Sequence, residues 1–235
     1  MRRPFVSRRW VYLFVVAILL AAGIYTTLAN RPLKAVEPQE LLQKALARTK
    51  AAKSYSYRLQ CRLVTAQGTR CLSNLSGRRI LPDRVHVKGK IFNSAVEIIQ
   101  VDGITYVKDV FSPKWLAFEG DRLGETGVFV AELDPLVLLD FAEVPTVTPA
   151  RQGRERGKKR LYLLECKPRV KNRFLASQFT DFAYRLSVEP EDYHIVQVEV
   201  QARGRNAPTR LMLDLELADF DRVQKIAAPT NVVNR

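Results

Sequence analysis

Cysteine and histidine are scarce in this sequence: its 235 residues hold three cysteines, Cys61, Cys71 and Cys166, and two histidines, His86 and His194. The cysteines stand too far apart for the paired-ligand spacing of a zinc site, so no metal is expected. Neither histidine has a nucleophile or a second ligand near it at a useful spacing. A phosphate-binding loop, a dinucleotide glycine pattern, a zinc-protease helix and a nucleophile elbow are all missing. Carboxylates such as Asp134, Asp140 and Glu143 remain, but Asp134 reads as a helix cap and the other two as solvent-facing charges. The chain is therefore expected not to be an enzyme and to need no cofactor.

Acidic residues are also in deficit, 24 against 38 lysines and arginines, for a formal charge of +14. So basic a chain is attracted to polyanions, of which nucleic acid is the usual one. The start of the sequence argues against that partner. Trp10 to Ala29, WVYLFVVAILLAAGIYTTLA, is a run of twenty uncharged residues. As a helix it spans about 30 Å, the thickness of a bilayer's hydrocarbon core. Arg2, Arg3, Arg8 and Arg9 precede it, and positive charge near a span end stays on the cytoplasmic side. The reading is a cytoplasmic basic N-terminus over residues 1–9, a single-pass anchor of the cytoplasmic membrane over 10–29, a tether over 30–36 and an extracytoplasmic domain over 37–235. The alternative is a cleaved signal with Thr27-Leu28-Ala29 at its end, but the run exceeds the roughly 7–15 residues usual there. No cysteine follows Leu20-Ala21-Ala22-Gly23 to take a lipid. The domain keeps +10 of the charge, and outside the cytoplasm the polyanions it meets are phospholipid headgroups and wall polymers, not nucleic acid.

Within the domain, Glu37-Pro38 opens a helix running to about Lys53, with Leu41, Leu42, Ala45 and Leu46 on one stripe. From Ser54 the period becomes two: Tyr55, Tyr57, Leu59, Cys61 and Leu63 alternate with polar residues, the mark of a half-buried strand. If Thr65 to Gln67 close a hairpin here, Cys61 and Cys71 fall opposite each other, where a disulfide would form. Cys166 reads as a small buried strand residue. Asp102-Gly103 is a two-residue hairpin signal that sets Val101 opposite Ile104, Ile99 opposite Tyr106 and Glu97 opposite Lys108. Asp134-Pro135 starts a helix that Leu136 to Phe141 make apolar nearly all round, so it is enclosed by protein or faces an apolar ligand. Arg151 to Arg160, RQGRERGKKR, carries six positive residues against one acid; it reads as a solvated loop, or as a patch for lipid headgroups. Tyr184 to Leu217 is a meander in which a loop at Pro190 to Asp192 puts Tyr184 opposite Val198 and Leu186 opposite Val196. Asn74-Leu75-Ser76 matches a glycosylation acceptor, too short a pattern to weigh.

This order of elements resembles the LolA and LppX/LprG-like superfamily of lipoprotein and lipid carriers, with RseB-like domains as relatives. The stretches that carry the resemblance are LLQKALARTKAAKSYSYRLQCRL, KWLAFEG followed by ELDPLVLLDFAEV, and the closing DYHIVQVEVQA, LMLDLELADF and IAAP. It covers roughly residues 37 to 230 and rests on pattern and order. It implies an α+β fold: a strongly curved antiparallel half-barrel closed by helices on its concave face, here behind an N-terminal transmembrane helix. It also implies that acyl chains of a lipid or lipoprotein are held between sheet and helices. The cavity lining is then expected from Tyr57, Leu59, Trp115, Phe118, Leu136, Leu139 and Phe141. Headgroups would meet Arg151, Arg154, Arg156, Lys158, Lys159 and Arg160. The other function open to such a fold is an envelope sensor that binds a protein partner and transports no lipid.

Overall fold

A computed structural model describes residues 36–119, 130–148, 151–156 and 159–234. The expected anchor at 10–29 and most of its flanks lie outside the described residues, and among those described no helix is long and apolar enough to cross a membrane.

The first described element is helix α1, Pro38–Lys50, somewhat shorter than its sequence pattern. Pro38 occupies its first turn, where a missing N–H costs nothing, and the Glu37 carboxylate accepts from the Glu40 N–H at 2.8 Å. Its apolar stripe, Leu41, Leu42 and Ala45, is fully buried. At about 1.5–3 kcal/mol for each large side chain taken out of water, that face fixes the helix to the sheet far more firmly than propensity does. Thr49 extends the stripe, its hydroxyl accepting from the Ile195 N–H at 2.8 Å.

Twelve strands follow: β1 Ser54–Thr65, β2 Gly68–Ile80, β3 Arg84–Ile91, β4 Ser94–Val101, β5 Ile104–Lys108, β6 Trp115–Glu119, β7 Arg151–Arg156, β8 Lys159–Cys166, β9 Phe179–Val188, β10 Ile195–Gly204, β11 Arg210–Ala218 and β12 Val232–Asn234. They form one open, curved sheet in the order β12-β6-β5-β4-β3-β2-β1-β11-β10-β9-β8-β7. All neighbours are antiparallel except β12 on β6. The long crossover from β6 to the opposite wing carries helix α2, Val130–Leu133, and a 3-10 helix, Pro135–Leu139; helix α3, Arg173–Gln178, precedes β9. The sheet is the architecture, and α1, α2 and the 3-10 helix cover part of one face.

Alternation decides which face. Tyr57 pairs with Gly77 and Leu217, and Leu59 with Leu75 and Leu215; Val198 joins Leu215, and Leu186 joins Val198. This inner face makes one cluster with Leu41, Leu42, Leu133, Leu136 and Leu139 from the helices. Gly77 is needed within it, because a Cβ there would lie 2.3 Å from the Tyr57 ring. The outer face is mainly charged, except where Ile99, Val101, Tyr106 and Trp115 form a second cluster under Ile226 of the C-terminal tail.

Several sequence expectations meet corrections here. The helix after Asp134 is a five-residue 3-10 turn, because the chain leaves helical geometry at Asp140 and Phe141 bridges to Val170. Residues 151–156 are a strand paired with β8, not a loop. In the closing meander Tyr184 faces Val200 and Leu186 faces Val198. The register lies two residues from the expected one because the connection is longer and holds Tyr193 at φ +60°. A slip of two leaves every side chain on its face.

Candidate functional site

The inner face has two halves. Near the start of β1, under α1 and the 3-10 helix, it is filled: Leu59 is 1 % exposed, and Leu139, Leu186, Leu215 and Leu217 are fully buried. Toward the far ends of β1 and β3, and across the β4–β6 wing, the cover ends. There Cys61 and Leu63 on β1, Ile91 on β3, Val96 on β4, Val107 on β5 and Leu116 on β6 are only half-buried, and Phe118 is 36 % exposed. A half-covered row of apolar side chains on a curved sheet is a surface that water wets poorly.

Polar groups fasten the crossover at the filled end. Arg79 points inward from β2, its guanidinium 3.3 Å from the Asp134 carboxylate and donating to the Leu133 carbonyl at 3.2 Å. The Tyr55 hydroxyl donates to Asp134 at 3.0 Å, and the Tyr57 hydroxyl donates to the Glu132 carbonyl at 2.6 Å. Burial, with the Asp134 charge added for Tyr55, holds both phenols protonated far above their usual range. Asp134 also caps the 3-10 helix through the Leu136 N–H. These bonds pin the crossover across the inner face, and the Lys50–Asp140 ion pair at 2.5 Å ties it to α1.

Glu132 has no such support. Its Oε2 is buried with no hydrogen-bond partner among the described residues, and burial pushes its carboxyl up to about 7. The Glu132 charge adds to the burial that raises the Tyr57 phenol and the Cys61 thiol.

Of the residues expected to line a cavity, Tyr57, Leu59, Leu136, Leu139 and Phe141 meet in the inner cluster, each less than a tenth exposed. Phe118 lies on the same face, on the exposed β6 wing opposite Thr105. Trp115 does not join them: β6 alternation puts it with Tyr106 and Ile99 in the outer cluster. Arg151, Arg154, Arg156 and Lys159 belong to the β7–β8 hairpin at one sheet edge, with Arg160 beside Glu155; Lys158 lies outside the described residues. The cysteines also differ from expectation. The turn is the two residues Ala66-Gln67, which sets Cys71 opposite Arg62, a bulge between Cys61 and Arg62 then sets Cys61 opposite Ser73, and all three thiols are free. Burial pushes the Cys61 thiol up to about 12 and that of Cys166 to about 11, so neither is a thiolate at neutral pH.

Sequence reasoning missed Arg79 and Glu132. Arg79 had a signal, a charged residue in the inner series Leu75, Gly77, Arg79; Glu132 had none, since the length of its helix was not legible.

Other concavities are charged. A cleft of about 900 Å³ beside residues 143–148 is lined in part by Glu165, Arg185 and Glu199, already paired at 3.0 and 3.4 Å. Among the described residues no group of three or more His, Cys, Asp or Glu is placed to hold a metal ion.

No family model matches the sequence, and no curated protein matches it either. Solved structures do match. The lipoprotein LppX of Mycobacterium tuberculosis superposes at a TM-score of 0.53 with 9 % identity, over 80 % of this chain and 97 % of that one. LprF of Mycobacterium bovis gives the same TM-score with 11 % identity, over 83 % and 99 %. The fold is that of LppX and LprF. A LolA superfamily protein from Nitrosomonas europaea follows at 0.37, with 10 % identity over 82 % and 96 %, too distant to add to this. The superfamily resemblance drawn from the order of elements therefore holds at the level of fold.

Proposed function

We propose that this protein is an extracytoplasmic lipid-binding domain, held at the cytoplasmic membrane by residues 10–29, that takes an acyl chain of a lipid or lipoprotein between the curved sheet and its helices. The observation that carries this reading is the unfinished cover of the inner face. Leu63 and Ile91 at the far ends of β1 and β3, with Val96, Val107, Leu116 and Phe118 on the β4–β6 wing, continue the apolar surface of the core past the cover of the helices, half-buried or exposed. Each methylene of a ligand laid on that surface contributes about 0.8 kcal/mol, so a chain of ten or more carbons binds without any polar anchor. The filled half serves as the floor against which the chain stops. Phe118 lies within this surface, while Trp115, on the outer face, has no part in it.

Organic extracts of the gently purified full chain are expected to contain acyl lipid at near-equimolar amount by mass spectrometry. Repeated extracts free of lipid would remove this reading and leave the fold to a sensor that binds a protein partner.

A further inference from the structure

The strand order brings the β1–β2, β3–β4 and β5–β6 turns to one end of the sheet, the end where the inner face is open. Two adjacent tips on this rim carry large apolar residues pointing away from the protein. Phe92 is 68 % exposed at the β3–β4 turn; at the β5–β6 turn Val110 is 68 % and Phe111 97 % exposed. Single exposed apolar residues are ordinary on protein surfaces. These differ in being held there. Phe92 and Asn93 have φ of +47° and +66°, a region that bulky side chains avoid, so an aromatic is kept in an unfavourable conformation where it gains no packing.

The Phe111 loop is built rather than slack. The Asp109 carboxylate accepts from the Phe111 N–H at 3.0 Å and from the Ser112 hydroxyl at 2.7 Å, and the Asp109 N–H donates to the Lys114 carbonyl at 3.0 Å. Neighbouring hairpin tips in a sheet stand roughly 10 Å apart, two strand spacings.

Charge identifies the partner. Over residues 62–74, 88–96 and 108–116, which make this rim, there are six lysines and arginines and a single acid, Asp109, whose oxygens are used inside its own loop. Arg62 pairs with Asp214 and Lys108 with Glu97, whereas Arg70, Lys88, Lys90 and Lys114 are exposed and form no ion pair among the described residues. Protruding aromatic tips ringed by free cations match the boundary of an anionic bilayer, where rings enter the headgroup layer and cations remain at its phosphates.

We infer that this rim docks on an anionic phospholipid bilayer, with Phe92, Val110 and Phe111 entering the headgroup layer. The rim stands on its own geometry and does not require a ligand inside the sheet. Docked in this way, the open half of the inner face meets the bilayer surface.

The test uses the full chain carrying Phe111→Trp in nanodiscs with bromine-labelled acyl chains. The parent chain, with Trp10 and Trp115, supplies the baseline to subtract. On phosphatidylglycerol discs the added emission is expected to fall about twofold, with little change on phosphatidylcholine discs, and Lys90→Glu with Lys114→Glu is expected to restore it. Emission unquenched on both discs overturns the inference, and so does equal quenching on both. Emission that changes only when an envelope protein is added assigns the rim to that protein and also overturns it. Since position 111 is almost fully exposed, the substitution leaves the fold intact.

Discussion

Replacing Arg79 by alanine is expected to lower unfolding stability by about 3 kcal/mol, read as a fall in the denaturant midpoint at unchanged slope. The side chain is 15 % exposed and serves three acceptors at once: the Asp134 carboxylate and the carbonyls of Leu133 and Pro82. Without it Asp134, about one-third exposed, loses its cation and keeps the Tyr55 hydroxyl and the Leu136 N–H, and the Leu133 carbonyl loses its donor under the crossover. Leaving a half-buried carboxylate and a covered carbonyl without their shared cation costs more than the pair itself contributes, which is why the effect is large. Lysine should not rescue it, since one ammonium cannot reproduce the fork that holds carboxylate and carbonyls together. A loss below about 1 kcal/mol would mean that the inner-face packing alone seats the crossover.

Glutamine at position 132 is expected to stabilise the protein by roughly 3 kcal/mol above pH 7 and to remove a pH dependence of the parent chain. Burial raises the Glu132 carboxyl from its ordinary 4.5 to about 7. Between those values the folded state binds a proton that the unfolded state does not, so stability falls as pH rises from about 4.5 to about 7 and is flat beyond. The penalty of holding the ionised carboxylate, with its buried Oε2 unpartnered, is then fully present. Denaturation of the parent and Glu132→Gln chains at pH 5 and pH 8 checks this. The two should differ little at pH 5 and markedly at pH 8; a parent chain equally stable at both would contradict it.

How much of this was legible in the sequence follows from what each signal encodes. The Asp102-Gly103 turn has a single favourable geometry, and Val101–Ile104, Ile99–Tyr106 and the Glu97–Lys108 ion pair are formed as read. Alternation over β1 and β9 to β11 gave the faces correctly even where the register slid, because a two-residue slip is silent in the pattern. The cysteine pairing was different. The turn is Ala66-Gln67, one residue shorter than the loop read from the sequence, which brings Cys71 opposite Arg62, and a bulge at Leu72 then carries Cys61 on to Ser73; nothing in the residues around Cys61 announces either.

Apolar composition over Leu136–Phe141 told that the segment is buried but not its conformation, which was decided by the bridge from Phe141 to Val170, far off in sequence. Trp115 shows the same limit. Its strand is short and apolar on both sides, so neither side could be chosen before the partner strand was known. The open half of the inner face was not legible at all, since it exists only because the helices stop short of it.

The claim on which the rest depends is that the open half of the inner face receives an acyl chain. Photolysis of the full chain with a diazirine-bearing fatty acid, followed by peptide mapping, tests it most directly. The label is expected on the peptides that carry Leu63, Ile91, Val96, Val107 and Phe118. Label confined to the outer face around Tyr106 and Trp115, or no covalent adduct at saturating fatty acid, would contradict it.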